Sequence, residues 1–197
     1  MPALDRTPET GAPETWRRIA ETTARLGFDM PSEPRTGAFL KMLAAAKPGG
    51  RMLELGTGTG LATAWLLAGM DADARLTSVD VAPDLQAVAR AELGDDPRVE
   101  FVIEDGLAFL QRQTPASYDL IFADAMPGKY EGLEDALARV RPGGIWIGDD
   151  MLLQGNWPDG HEARVAGLLQ ALQGREGWAV VEMAWASGLV VAVRRKL

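Results

Sequence analysis

A glycine-rich turn between a buried strand and a helix constrains this chain most. The segment reads Met52-Leu53-Glu54-Leu55-Gly56-Thr57-Gly58-Thr59-Gly60-Leu61-Ala62-Thr63. Its apolar run predicts a short strand, and the residues after the glycines predict the start of a helix. Glycines at positions 56, 58 and 60 remove side chains from the turn, so a ligand can approach the backbone closely. The segment predicts a nucleotide or nucleoside site; the alternative is a plain strand-to-helix turn that uses glycine for tightness.

The glycine spacing and the preceding acid favour one class of ligand. The dinucleotide fingerprint has its third glycine at position 61, where this chain has Leu61. Glu54 would repel a pyrophosphate and favour a cationic ligand. S-adenosylmethionine (SAM) carries a sulfonium and an ammonium group and has no phosphate. The segment therefore predicts a SAM-dependent methyltransferase whose cofactor contacts include Glu54, Gly56, Thr57, Gly58 and Gly60.

The composition limits the partners of the chain. Its 197 residues are 47% hydrophobic, which predicts one domain with a sizeable core. The formal net charge of -8 disfavours binding to DNA, RNA or an anionic membrane, although it does not exclude a local basic patch. The chain has no cysteine, which excludes disulfides and thiolate metal sites. We find no apolar run of transmembrane length and no signal peptide, and therefore expect a cytoplasmic protein. A homodimer is one assembly that the sequence allows.

Strand-like and helix-like segments alternate along most of the chain. Strands are predicted at 51–55, 75–80, 98–103, 118–123 and 143–148. Helices are predicted between and after them at 60–69, 83–93, 105–112 and 131–140, and one more begins at Asp159 or Gly160. This alternation predicts an α/β fold, a mainly parallel sheet with helices on both faces. The last two segments, 178–184 and 189–194, predict an antiparallel pair of strands.

The N-terminal region predicts a tail and two helices. Residues 1–12 contain prolines, a glycine and scattered polar residues, which predicts a flexible tail. Helical periodicity follows over residues 13–26 and again over 35–46. We therefore expect one methyltransferase domain over residues 13–197, in which the segment 13–46 covers the site.

Acidic residues follow the second and third strands, at the sheet edge where open α/β sheets bind ligands. Asp80, with Val81 beside it, is predicted to accept hydrogen bonds from the ribose hydroxyls; the alternative is a helix cap. Asp105, next to Gly106, is predicted to bind the adenine amino group or to cap the following helix, and one residue can do both.

Three carboxylates follow the fourth and fifth strands, namely Asp124, Asp149 and Asp150. Like charges gathered at neighbouring strand ends are costly unless a cation lies between them. Oxygen ligands suit a hard cation, and Mg²⁺ before Mn²⁺ or Ca²⁺. The trio therefore predicts a divalent metal site. The alternative is that Asp124 holds the cofactor while the other two cap a loop or face solvent.

The only histidine and one tryptophan lie after the fifth strand. His161 has an unperturbed pKa near neutrality and is a candidate general base, although a lone histidine in the first turn of a helix is more often a surface residue. Trp157 is the tryptophan that we expect to line a substrate pocket.

With these residues identified, the chain resembles the SAM-dependent O-methyltransferases of the catechol and caffeoyl-CoA type, from about Met30 to the C-terminus. Residues 53–60 match the first motif of that family, and residues 30–40 are similar to its pre-motif segment. The resemblance implies that Met30 and Ser32 contact the methionine end of SAM. It also implies a seven-stranded sheet of order 3-2-1-4-5-7-6 with its last strand antiparallel, and metal ligands at Asp124, Asp149 and Asp150.

The chain departs from that family at two positions. The family has a lysine as general base three residues after the first metal aspartate, where this chain has Pro127. We expect Lys129 to replace it beside Asp124, because Gly128 gives the loop freedom to turn inward. The family's Asp-Asn pair is Asp149-Asp150 here, which adds a charge and should strengthen cation binding or raise a carboxylate pKa.

The resulting hypothesis is an enzyme that moves the SAM methyl group to a hydroxyl of a small molecule, with a divalent cation assisting. One alternative is an RNA-modifying methyltransferase of the same fold, which a basic, aromatic-lined groove near Asp124 would support. The other is a SAM-binding protein without catalysis, for which the displaced lysine is the main argument.

Overall fold

The computed structural model describes residues 11–196, and most of the predicted tail at 1–12 lies outside them. The strands are β1 (Arg51–Leu55), β2 (Arg75–Asp80), β3 (Val99–Ile103), β4 (Tyr118–Ala123), β5 (Val140–Gly148), β6 (Trp178–Met183) and β7 (Leu189–Arg194). The helices are α1 (Glu14–Leu26), α2 (Pro34–Ala45), α3 (Leu61–Gly69), α4 (Pro83–Leu93), α5 (Gly106–Gln111), α6 (Leu133–Arg139) and α7 (His161–Leu172). Within these residues no helix combines the length and the apolar character needed to cross a bilayer.

The seven strands form one sheet in the order β3-β2-β1-β4-β5-β7-β6. Neighbours from β3 to β5 pair in parallel, whereas β7 pairs antiparallel with both β5 and β6. The predicted order and the antiparallel last strand are therefore confirmed. The boundary that differs most is the start of β5, which extends back to Val140; this residue is buried and pairs with Tyr118 ahead of a register shift.

The strand periodicity places two apolar cores on opposite faces of the sheet. On β1, Met52 belongs to the core that α1, α2 and α3 cover, and Leu53 belongs to the core under α5, α6 and α7. On β4, Leu120 and Ile121 divide in the same way. Central strands buried on both faces explain the nearly continuous apolar sequences of β1 and β4. They also align the carboxyl ends of β1, β2, β4 and β5 along one edge of the sheet.

Candidate active site

A cavity of about 650 Å³ lies at this edge of the sheet. Its wall contains the residues after β1, β2 and β4, together with Phe28, Met30, Pro31 and Ser32 from the connection between α1 and α2. The structure therefore brings the predicted contacts Met30 and Ser32 to the same cavity as the glycine turn. The contact of Phe28 with the cavity was not predicted, because it depends on how α1 packs on the sheet and not on a motif in the sequence.

The three glycines of the turn serve different geometric purposes. All have positive φ, with values of 98° at Gly56, 52° at Gly58 and 96° at Gly60. A Cβ on Gly56 would lie 2.5 Å from the backbone oxygen of Asp124, and one on Gly60 would lie 2.6 Å from Ala89 Cβ. Gly56 and Gly58 line the cavity, whereas Gly60 does not. The third glycine of the motif thus permits close packing against α4.

Glu54 lies beneath the glycine turn and outside the cavity wall. The alternation of β1 points its side chain to the α3 face, where Oε2 accepts hydrogen bonds from Thr63 Oγ1 and Ser78 Oγ, each at 2.5 Å. Burial raises the pKa of Glu54 to about 8, despite these two hydrogen bonds. At neutral pH the buried carboxyl is therefore largely protonated. Because Glu54 is also outside the cavity wall, the structure does not support the predicted attraction between its charge and a cationic ligand.

Asp80 lies at the end of β2 and lines the cavity. Its Oδ2 accepts a hydrogen bond from the backbone N–H of Gly58 at 2.7 Å, and its Oδ1 accepts one from that of Ala82 at 2.8 Å. The N-cap of α4 is Ala82, so the alternative in which Asp80 caps this helix is not realised. The aspartate instead fixes the glycine turn relative to β2 and keeps lone pairs for a ligand hydroxyl. Val81 is exposed at 64% and also lines the cavity.

Asp105 takes the capping role that the sequence left open. Its Oδ1 accepts a hydrogen bond from the backbone N–H of Ala108 at 2.9 Å, at the N-cap of α5. Asp105 and Gly106 both line the cavity, so the second carboxylate oxygen remains able to accept from a ligand amino group. The predicted adenine contact therefore stays a prediction.

Asp124 follows β4 and accepts a hydrogen bond from Ser32 Oγ at 2.8 Å. This bond joins the connection between α1 and α2 to the carboxyl edge of the sheet, over 92 residues of sequence. Burial raises the pKa of Asp124 to about 6, the positive charge of Lys129 opposes the rise, and the charge of Asp150 adds to it. The carboxylate is thus mostly ionised at neutral pH.

Lys129 is turned into the site, as its sequence position predicted. Gly128 has φ 77°, and a Cβ there would lie 2.3 Å from Leu55 Cδ1. The loop therefore depends on glycine at this position to pack on β1. Lys129 is only 4% exposed, lines the cavity, and donates a hydrogen bond from Nζ to the backbone oxygen of Asp149 at 2.8 Å.

The predicted metal ligands lie near one another without forming a ligand set. Asp149 is 2% exposed, and its Oδ1 accepts hydrogen bonds from Ser187 Oγ at 2.5 Å and from the backbone N–H of Asp150 at 2.8 Å. Burial raises the pKa of Asp149 well above its usual range, and the charges of Asp124 and Asp150 raise it further. Across residues 11–196 no three acidic or histidine side chains converge as metal ligands. Asp149 Oδ1 is thus occupied by Ser187 and by a backbone N–H, and the divalent ion stays a prediction.

A smaller chamber of about 170 Å³ adjoins the cavity and shares Asp124, Asp150 and His161 with it. His161 begins α7, and its Nε2 lies 3.2 Å from the hydroxyl oxygen of Tyr130. Its ring centroid is 4.6 Å from that of Trp157, which lines the chamber; whether this chamber holds a substrate stays a prediction. Burial, together with the charge of Lys129, lowers the pKa of His161, so the ring is neutral at pH 7. Neither Tyr130 nor Ser187 was predicted; Ser187 is 38 residues from Asp149 and belongs to no motif.

The sheet order and the cavity define a doubly wound α/β protein, a class that binds ligands at the carboxyl edge of the sheet. A family model described as a methyltransferase domain matches residues 53–151. A Mycolicibacterium smegmatis protein provisionally named an O-methyltransferase is 32% identical over 171 residues, which cover 82% of this chain and 81% of that protein. The chain therefore belongs to the family of SAM-dependent O-methyltransferases that the sequence resembles.

Two further comparisons agree with this assignment. A Mycobacterium tuberculosis protein named as a probable O-methyltransferase is 34% identical over 145 residues, or 70% of this chain, and the match spans 65% of that relative's length. The crystal structure of a Streptomyces achromogenes O-methyltransferase involved in tomaymycin synthesis, solved in complex with SAM, is 25% identical. It superposes with a TM-score of 0.76, covering 93% of this chain and 91% of that chain.

Proposed function

We propose that this chain is an enzyme that transfers the methyl group of SAM to a hydroxyl oxygen of a small molecule. The observation that carries the proposal is the continuity of two cavities. The larger has the glycine turn, Asp80 and Asp105 in its wall, and the smaller shares Asp124, Asp150 and His161 with it. A methyl donor in the first and an acceptor in the second would meet at these shared residues.

The residues in the larger wall fit SAM. Asp80 would accept hydrogen bonds from the ribose hydroxyls, Asp105 would accept one from the adenine amino group, and Ser32 with Met30 would contact the methionine end. Gly56 and Gly58 allow the ligand to approach the backbone. The cofactor supplies an electrophilic methyl carbon: as the new carbon–oxygen bond forms, the carbon–sulfur bond breaks and its electron pair stays on sulfur in S-adenosylhomocysteine (SAH).

The protein would supply orientation and a nucleophilic oxygen. Lys129 is buried in the wall of the larger cavity. It lies close enough to Asp124 and His161 to lower the pKa of each. We propose that the neutral amine form of Lys129 takes the proton of the acceptor hydroxyl and becomes the ammonium form, and that Asp124 positions the acceptor beside Ser32. Metal assistance, expected from the resemblance, is the competing version of this proposal, and no step here depends on it.

The RNA-modifying alternative is not favoured by the site. A basic groove near Asp124 would have supported it, whereas the described lining of the smaller chamber includes five acidic side chains and no lysine or arginine. A small acceptor agrees better with a chamber of about 170 Å³. The cytoplasmic location and the homodimer stay predictions.

The decisive experiment has two readouts. Calorimetric titration should show binding of SAM and SAH to the full chain, and mass spectrometry should detect a methylated product from a panel of small hydroxylated acceptors. Turnover in excess chelator, unchanged by added Mg²⁺ or Mn²⁺, would reject the metal-assisted version. Tight SAM binding with no product from any acceptor would instead support a SAM-binding protein without catalysis.

A further inference from the structure

The glycine turn carries only two side chains, because three of the five residues at 56–60 are glycines. Thr59 Oγ1 accepts a hydrogen bond from Thr23 Oγ1 of α1 at 2.8 Å. Thr57 is 4% exposed, lines the larger cavity and extends its hydroxyl to β2 and α4. A glycine-rich segment loses much conformational freedom when it is ordered, so the contacts of these two threonines matter for holding the turn in one arrangement.

Gln86 of α4 is a buried partner of Thr57. It is fully buried, and its Nε2 donates hydrogen bonds to Thr57 Oγ1 and to the backbone oxygen of Val102 on β3, each at 3.0 Å. Its Oε1 accepts a hydrogen bond from Arg90 Nε, also at 3.0 Å. Gln86 lies outside both cavity walls, so it can act on a ligand only through residues such as Thr57. One amide thus joins the glycine turn to α4 and β3.

The amide also completes a directed series of hydrogen bonds beneath the turn. Ser78 Oγ donates its hydrogen to Glu54 Oε2 at 2.5 Å, so Thr57 is the donor in the 2.6 Å contact between Thr57 Oγ1 and Ser78 Oγ. Thr57 therefore donates to Ser78 and accepts from Gln86, which uses both functions of its hydroxyl. Linked hydrogen bonds of this kind strengthen one another in a buried environment. Loss of the amide would remove the donor that fixes Thr57 from the α4 side.

We propose that Gln86 is a positioning residue for the methyl donor: its amide holds Thr57, and with it the glycine turn, in the arrangement that binds SAM. The inference rests on the proposed function and deepens it. A turn that leaves this arrangement part of the time binds the cofactor with an affinity reduced by the fraction that remains competent. Loss of one neutral buried hydrogen bond should lower that fraction to about a third to a tenth.

Calorimetric titration of SAH into the full chain tests this role with Gln86→Met, which keeps the length of the side chain and removes its donors. We expect a Kd about three- to tenfold higher than that of wild type. With any acceptor that the chain methylates, KM for SAM should rise by the same factor. In that assay kcat at saturating SAM should stay within about twofold of wild type, because bound cofactor restores the turn.

Leu93→Ala is the matched control for a loss of stability alone. Leu93 is a buried core residue of the same helix and lies outside both cavity walls. Its truncation should lower the urea midpoint and leave the Kd for SAH unchanged. If Gln86→Met also lowers the urea midpoint but binds SAH as wild type does, Gln86 is structural only and the proposal is overturned.

A double-mutant cycle with Thr57→Val shows whether Gln86 acts through Thr57. Valine keeps the shape and removes the hydroxyl, so the double variant should bind SAH within about twofold of Thr57→Val. Independent, multiplying losses would overturn the proposal. If Gln86→Met does not fold, Thr57→Val must itself raise the Kd about three- to tenfold, and an unchanged Kd would overturn the proposal. A wild-type chain that binds no SAH would instead reject the proposed function, so the two failures are distinguishable.

Discussion

The two halves of the candidate site hold their carboxylates in opposite ways. On the cofactor side, the Asp80 carboxylate accepts hydrogen bonds from two backbone N–H groups, and that of Asp105 accepts one at a helix start. On the acceptor side, the Asp150 side chain accepts none from the described residues, and burial raises the pKa values of Asp124 and Asp149. The cofactor-side carboxylates are held by backbone donors, whereas those of the acceptor side are held by the hydroxyls of Ser32 and Ser187, by one backbone N–H, or by no described donor.

This difference separates preorganisation from ligand dependence. Backbone donors are fixed by β2, by the glycine turn and by α5, so the cofactor half costs little to organise when a ligand binds. The acceptor half gathers carboxyl groups in a partly buried chamber, where burial raises the pKa values of Asp124 and Asp149. Substitutions in the two halves should therefore change different measured quantities.

The largest expected effect is on turnover, at Lys129. Lys129→Met should reduce kcat by about 10²–10⁴-fold while SAM affinity is unchanged, because the variant removes the proposed proton acceptor and leaves the cofactor half intact. Steady-state kinetics and calorimetry on the same preparation measure the two quantities. Lys129→Arg is the matched control, since arginine keeps the charge and does not accept a proton. If Lys129 is the proton acceptor, both variants should be equally slow. Activity retained by the arginine variant would instead indicate that Lys129 acts as a fixed positive charge. A loss of turnover under about threefold in Lys129→Met would contradict both roles.

The next effect is on stability, within the cofactor half. Gly56→Ala should lower the free energy of unfolding by about 2–4 kcal/mol, because its Cβ would meet a backbone oxygen at a φ that alanine rarely adopts. Gly58→Ala has a neighbouring Phe28 ring at 3.6 Å and should cost only about 1 kcal/mol. Urea denaturation measures both. Equal losses for the two variants would show that the turn is less closely packed against Asp124 than described.

A smaller effect is expected on cofactor affinity, at Asp80. Asp80→Ala should weaken SAM binding by about 1.5–3 kcal/mol, the range for hydrogen bonds to a charged group. Asp84 is an exposed acid in the first turn of α4; Asp84→Ala is the control and should bind SAM normally. Calorimetric affinities that are the same for wild type and Asp80→Ala would remove Asp80 from the ribose role.

Per pH unit, the smallest effect is a pH dependence of stability that arises from Glu54 beneath the turn. The pKa of Glu54 is raised to about 8 in the folded protein, above its value in the unfolded chain, so the folded state binds the proton more tightly. Glu54 therefore lowers stability as pH rises from about 5 to about 8, by at most about 1.4 kcal/mol per pH unit. Glu54→Gln removes the titrating group and keeps the shape, so this variant should gain stability relative to wild type over that window. Parallel stability curves in urea would show that Glu54 is ionised when folded.

The sequence predicted the fold because its signals are local and repeated. Alternating apolar strands and amphipathic helices specify a parallel sheet, and the short connection before Leu189 specifies the antiparallel end. The same applies to the cofactor cavity, whose contacts follow strand ends directly in sequence, as at Gly56, Asp80 and Asp105. Such residues can be identified from the chain alone since the carboxyl ends of parallel strands share an edge.

Only the tertiary structure decided which side of the sheet each carboxyl faces and which partner it meets. Glu54 turned out to be buried under α3 and largely protonated, because strand alternation and the packing of Thr63 and Ser78 remove it from the cavity. Asp149 is held by Ser187, and Ser32 reaches Asp124 from 92 residues away. Side-chain contacts over such separations, and the desolvation that sets each charge, depend on the packed arrangement of elements and leave no pattern in the sequence.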